Sequence, residues 1–322
     1  MRRREFIALL GASIAWPFAA MGQQAGRTYR LGVLAPFTRG APYDVAFFDE
    51  LRRLGFSEDQ NLTIDFRVFV PHVELISQYA AELANARPDV IYAGGGVAIR
   101  AVQKMTKTIP IVGITDDMVG EGFVESLARP NGNMTGVSIL AIELDGKRQD
   151  LLMEAVPGIR RMAALADSST LSDAKARALQ EAARARSIDL DIHRIAPGDE
   201  IVAAIDKAQA SGATALNVFA SPMLHSNGQL IMERVTALRL PTMYQWPEMA
   251  EEGGFAAYGP RLSELSVLAA RLAAKLFRGT KVGDIPVEQP TKFELVINLK
   301  TAKAMGVTVP EALLARADEV IE

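Results

Sequence analysis

Six short segments hold hydroxyls, carboxylates, aromatic rings and free backbone donors in patterns that could bind or transform a small molecule. They are Pro36-Phe37-Thr38, Gly94-Gly95-Gly96-Val97, Thr115-Asp116-Asp117-Met118, Asp167-Ser168-Ser169-Thr170, Ala220-Ser221-Pro222-Met223 and Tyr244-Gln245-Trp246. Phe37 and Thr38 offer a ring to cover a flat ligand and a hydroxyl to meet a carboxylate oxygen, or else they cap and staple the next helix. Gly95, Gly96 and Val97 open a helix whose first N–H groups are free, a setting that suits an anion. Their spacing is neither G-x-G-x-x-G nor a P-loop, which argues against a dinucleotide or triphosphate. Asp117 suits a helix cap or one contact to a ligand donor better than acid–base catalysis, because adjacent loop carboxylates seldom point at one atom. Ser168, Ser169 and Ser221 supply donors, and Tyr244 and Trp246 supply flat apolar area with a polar handle. Trp246 would serve equally well as packing between domains.

Bond-making chemistry finds little support. There is no Gly-x-Ser-x-Gly elbow, no His-Glu-x-x-His and no metal-ligand spacing, and no cysteine at all. His72, His193 and His225 sit at a helix start, in a strand and at a loop, as surface or structural histidines do. No cofactor and no metal are expected.

The candidate segments share one position: each follows a short apolar run and precedes an amphipathic one. Strands are predicted at 30–35, 62–68, 90–93, 109–114 and 135–140, and again at 161–166, 190–195, 213–219 and 241–244. Helices are predicted at 45–54, 72–85, 98–107 and 120–128, then at 146–156, 172–186, 200–210 and 228–238. Alternation of this kind means βαβ units and parallel sheets, in which ligands bind beyond the carboxyl ends of the strands. Two such runs in 322 residues predict two similar α/β lobes whose strand ends border one cleft. The charged stripe Lys175, Arg177, Glu181, Arg184 and Arg186 reads as a solvated helix face.

Lys and Arg number 35 against 38 Asp and Glu, so nothing offsets phosphate charge and no nucleic-acid partner is expected. Arg2, Arg3 and Arg4 precede an apolar run of about 14 residues, short of the roughly 20 that span a bilayer. Ala20-Met21-Gly22 then supplies a small-x-small site, so residues 1–22 read as a signal peptide cleaved before Gln23. Arg3-Arg4-Glu5-Phe6-Ile7 is similar to a twin-arginine export signal, with a plain Sec signal as the alternative.

Further stretches carry a family resemblance over almost the whole chain. They include Ser126-Leu127-Ala128-Arg129-Pro130-Asn131-Gly132-Asn133, Gly146-Lys147-Arg148, Tyr258-Gly259-Pro260, the run from Ile285 through Phe293-Glu294-Leu295 to Lys303, and Leu314-Ala315-Arg316-Ala317-Asp318-Glu319. The sequence resembles ABC-transporter substrate-binding proteins of the tryptophan/tyrosine-type and uncharacterised group. The resemblance implies an α/β fold of the type I periplasmic-binding-protein kind, with two doubly wound parallel-sheet lobes joined by three hinge crossings. It places the crossings near Leu140, Tyr258 and Pro286, giving one lobe of 27–139 plus 258–285 and another of 140–257 plus 286–322. It implies a non-enzymatic, monomeric periplasmic receptor that passes a small carboxylate, an amino acid or aromatic acid, to membrane permease subunits. A sensory ligand-binding protein and an exported α/β hydrolase are the alternatives. The chain departs from the family where Met118 replaces a proline, and where Asp167-Ser168 and Ser221-Pro222 replace Asn-Pro and Asp-Pro.

Export with its leader should yield a mature chain beginning at Gln23. Three arginines and one glutamate leave with residues 1–22, taking the formal charge from −3 to −5. Intact-mass measurement of the secreted protein checks this, and retention of the first 22 residues would contradict it.

Overall fold

The computed structural model describes residues 26–196 and 201–322. The predicted signal peptide, residues 1–22, lies outside the described residues. The first half of the chain runs β1 (Tyr29–Ala35), α1 (Pro42–Arg53), β2 (Leu62–Val68), α2 (Ile76–Asn85), β3 (Val90–Gly94), α3 (Gly96–Met105), β4 (Ile111–Thr115) and β5 (Met134–Ser138). The five strands form one parallel sheet in the order β2-β1-β3-β4-β5. All five residues of β3 are buried, as expected of a central strand covered by helices on both faces.

No helix forms at 120–128. Asp117 Oδ1 instead accepts the N–H groups of Val119 and Gly120, and Phe123 and Val124 both donate to the Met118 carbonyl. Gly122 takes φ +74° in the same turn. Phe123 and Val124 are thereby buried without a helix.

The second half continues with α4 (Ala141–Ala155), β6 (Arg161–Asp167), α5 (Asp173–Arg184), β7 (Asp189–Ile195), α6 (Ile201–Ala210), β8 (Leu216–Val218), α7 (Pro222–Ser226), α8 (Gly228–Ala237), β9 (Thr242–Tyr244), α9 (Pro247–Glu251) and β10 (Ala256–Gly259). Then come α10 (Leu262–Phe277), β11 (Glu294–Asn298), α11 (Leu299–Met305), α12 (Glu311–Leu314) and β12 (Glu319–Ile321). The second sheet has the order β12-β11-β10-β9-β8-β6-β7, with only the β10–β11 pair antiparallel. Helix α10 does not stay with it. It packs along α1 and against β3, β4 and β5, burying Leu265, Ala269, Ala273 and Phe277, while Arg271 reaches Glu50 of α1 at 2.8 Å.

The chain therefore passes between the two lobes three times. The first follows β5, where Leu140 takes a left-handed conformation (φ 64°) and donates to the Asp116 carbonyl. A leucine there costs about 1–2 kcal/mol, which the start of α4 must hold in place. The second was expected near Tyr258; Tyr258 and Gly259 pair with Leu295 and Glu294, and the chain leaves the second sheet at Pro260. The third was expected near Pro286, where residues 285–288 run beside β5: Thr135 Oγ1 donates to the Ile285 carbonyl, Glu288 N–H to Gly136, and Ser138 N–H to Glu288.

Gly136 is required where β5 meets β4, since a Cβ there would collide with the main chain of Gly113. Gly136→Ala should lose about 3 kcal/mol or more of stability in urea unfolding, and a loss below about 1 kcal/mol would contradict this packing.

Candidate functional site

The carboxyl ends of both sheets face each other, and their loops touch. Phe37, after β1, meets His225 of α7 edge-on, with centroids 4.8 Å apart, and Tyr43 of α1 joins them. Burial pushes the His225 imidazole down to about 4, so it meets these rings uncharged. Gly95, after β3, lies against Pro222: a Cβ there would stand 3.2 Å from its ring, and φ +89° further restricts the position to glycine. A cavity of about 190 Å³ opens beside these contacts, lined by Tyr43 and His225 with Glu248, Glu251, Glu252 and Arg261.

The serines are organised by a carboxylate. Asp167, at the end of β6 and mostly buried, accepts from Ser221 Oγ at 2.7 Å and from Ser169 Oγ and N–H at 2.6 and 2.8 Å. Ser221 also caps α7, accepting from Met223 and Leu224 N–H. Ser221 is thus committed to packing, whereas Ser168 and Thr38 remain exposed at the rim with Val97. Asp117 caps its own turn, as described above. Trp246 is buried in the core as the residue before α9. Tyr244 is fully buried. Asn217 of β8 donates to the Asp145 carbonyl and so points at α4, Met243 is in register beside it, and Tyr244 therefore points to the opposite face, against Gly254.

The turn at Gly94–Gly96 is not an open anion site. Glu121 lays its carboxylate over Gly96, accepting from Thr115 Oγ1 at 2.7 Å and Asp117 N–H at 3.3 Å, with Arg100 3.8 Å away. The sequence reading did not select Glu121, because nothing local ties it to a glycine 25 positions earlier.

A second charged group lies where the chain passes between the lobes. Arg148 of α4 is fully buried, donating from Nε to the Tyr258 carbonyl at 2.7 Å and from Nη1 to Asp145 Oδ1 at 2.6 Å. Lys175 stands 3.8 Å from Asp145 Oδ2 and is largely buried, correcting the reading of this lysine as solvated; Arg177, Glu181, Arg184 and Arg186 are exposed as expected. Burial raises the Asp145 carboxyl, opposed by Arg148 and Lys175. Asp116, from the first lobe, lies within electrostatic reach of Lys175, Asp145 and Arg148, and burial pushes it up to about 7. Arg148 Nη2, Asp145 Oδ2 and the amides of Gln149 and Gln245 have no hydrogen-bond partner among the described residues. A motif containing Gly146-Lys147-Arg148 was visible in the sequence; its burial was not.

A raised Asp116 has a defined pH signature. The folded chain keeps a proton up to about pH 7 that the unfolded chain releases near the ordinary value of 3.8, so this group erodes stability as pH rises between them. Asp116→Asn should exceed the parent by about 1–2 kcal/mol at pH 8 and match it at pH 4 in chemical denaturation. Equal stabilities at both pH values would contradict the burial of this carboxyl.

Comparison with known proteins agrees with this geometry. The family model for ABC transporter substrate binding protein matches residues 44–321. The "Tyrosine-binding protein" of Clostridioides difficile (strain R20291) is 26% identical over 263 residues, covering 80% of this chain and 75% of the relative. The ABC domain from Streptococcus pneumonia in complex with L-Trp superposes with a TM-score of 0.80 at 23% identity, covering 91% of this chain and 100% of that one. The ligand-free, open structure of a substrate binding protein with adhesive properties from Clostridium difficile gives 0.64 at 22% identity, covering 92% and 99%. The family model covers most of the chain, and the chain belongs to the ABC transporter substrate-binding protein family.

Proposed function

We propose that this chain is the exported solute-binding component of an ABC importer, taking up an amino acid or aromatic acid between its lobes and delivering it to membrane permease subunits. The observation that carries the reading is the meeting of two sets of strand ends, Phe37 with His225 and Gly95 with Pro222, across lobes joined by three short passages. Such passages let the lobes rotate as rigid bodies, with a few residues absorbing the motion. We place the lobes at 27–139 with 262–288 and at 140–259 with 289–322, following the strand pairing and the course of residues 285–288. The tyrosine and L-Trp named for the relatives favour an amino acid with an aromatic or apolar body. A periplasmic, monomeric protein fits this role, and among the described residues no helix is long and apolar enough to cross a membrane.

Thermal unfolding of the mature chain against amino acids, aromatic acids, sugars and nucleosides tests the reading. A ligand at 100 times its Kd should add about 2.7 kcal/mol and raise Tm by several degrees, and it should be recovered unchanged. Chemical conversion of the ligand, or a response confined to sugars or nucleosides, would contradict it.

A further inference from the structure

Glu121 holds a carboxylate at the edge where the first lobe meets the second, and each contact it makes is one that a ligand carboxylate could make. Its Oε1 accepts from Thr115 Oγ1 at 2.7 Å and from Asp117 N–H at 3.3 Å. Thr115 ends β4 and is buried, so its hydroxyl relies on this acceptor. Oε2 lies over Gly96, where a Cβ would collide with it, so the carboxylate fits only because the residue beneath it is glycine. Arg100, one turn along α3, stands 3.8 Å from Oε2, with its guanidinium over the Phe123 ring. No side chain caps α3, and Gly95, next to Gly96, lies against Pro222 of the opposite lobe.

The tether that carries this group is short and fixed. Glu121 N–H donates to the Asp117 carbonyl, and Asp117 Oδ1 closes the same turn on the N–H groups of Val119 and Gly120. A group on a short tether competes with a free one as though present at about millimolar concentration. A ligand carboxylate reaching this turn therefore gains the Thr115 and Asp117 donors only by displacing Glu121, and it meets like charge until it does so. An uncharged end meets no such opposition. It can donate to Oε2, which accepts no hydrogen bond among the described residues and belongs to a side chain that is 30% exposed.

Resting on the amino-acid reading above, we infer that Glu121 is a specificity-determining residue, a tethered carboxylate that competes with the ligand's own at the first-lobe end of the cleft. The ligands it favours present an uncharged donor there, an amide or a hydroxyl. A free carboxylate enters only after Glu121 has moved out.

Calorimetric titration at pH 7 of the mature chain, Glu121→Ala and Glu121→Gln with L-tyrosine, L-tyrosinamide, L-tryptophan and L-tryptophanamide tests this role. For a pair that binds, the affinity ratio of acid to amide should rise at least tenfold in Glu121→Ala. Glu121→Gln keeps an acceptor for Thr115 and fills the same space, so acetate separates emptying of this place from general loosening. In saturation-transfer NMR the acetate methyl signal should respond to Glu121→Ala at least threefold more strongly than to the parent or to Glu121→Gln. A ratio that rises less than tenfold, or an acetate response that differs less than threefold, would overturn the role of Glu121 and leave the importer reading standing. If none of the four compounds binds any of the three chains, the choice of an aromatic amino acid fails, and the acetate comparison alone decides for or against Glu121.

Discussion

A single guanidinium joins the place where the chain enters the second lobe to the place where it leaves. Arg148 sits about two turns into α4, the helix that follows the first passage, and it donates to the carbonyl of Tyr258, just before the second. Burying a charge of this size costs several kcal/mol unless it is paired and hydrogen-bonded. Asp145 and Tyr258 meet that requirement, and in doing so fix α4 against β10. The second oxygen of Asp145 faces Lys175 at 3.8 Å, so the carboxylate stands between two cations of the second lobe.

The two halves of the interlobe region use their polar groups differently. On one side Asp167 ties Ser169 and Ser221 together and anchors the cap of α7, setting the height of Pro222 and His225 against Gly95 and Phe37. These residues shape the contact between lobes. On the other side Asp145 pairs with Arg148 and Lys175, while Arg148 Nη2 and the amides of Gln149 and Gln245 keep hydrogen-bonding capacity that no described residue meets, a costly state for buried polar groups. Arg261 works at the edge of both, securing the start of α10 to three glutamates of the second lobe while α10 itself packs on the first.

Much of this architecture was legible in the sequence because parallel sheets write a simple signal: short apolar runs, then amphipathic helices. The strand 62–68 forms where that signal places it, and the helix expected at 228–238 ends one residue earlier. The passages between lobes were less legible because strand ends are set by ladder partners. Tyr258 is held by Leu295, and residues 285–288 by β5, pairings that no local pattern reveals. Among site residues, the loops after the strands were found by the topological rule, but the rule does not say which way a side chain points. Tyr244 lies on the sheet face opposite α4 because its neighbour Met243 shares a face with Asn217, and Ser221 is hydrogen-bonded to Asp167. The charged residues that matter most were passed over for the same reason. Lys175 lies in a helix whose other charges are solvated, and Glu121 and Gly96 meet only after folding.

The most direct test of a solute receptor of this kind is native mass spectrometry of the mature protein, purified without denaturation and titrated with L-tyrosine or L-tryptophan. The account predicts a complex of one chain with one intact ligand molecule, released unchanged on unfolding. A chain that binds neither these nor any other amino acid or aromatic acid, or releases a chemically altered product, would contradict it.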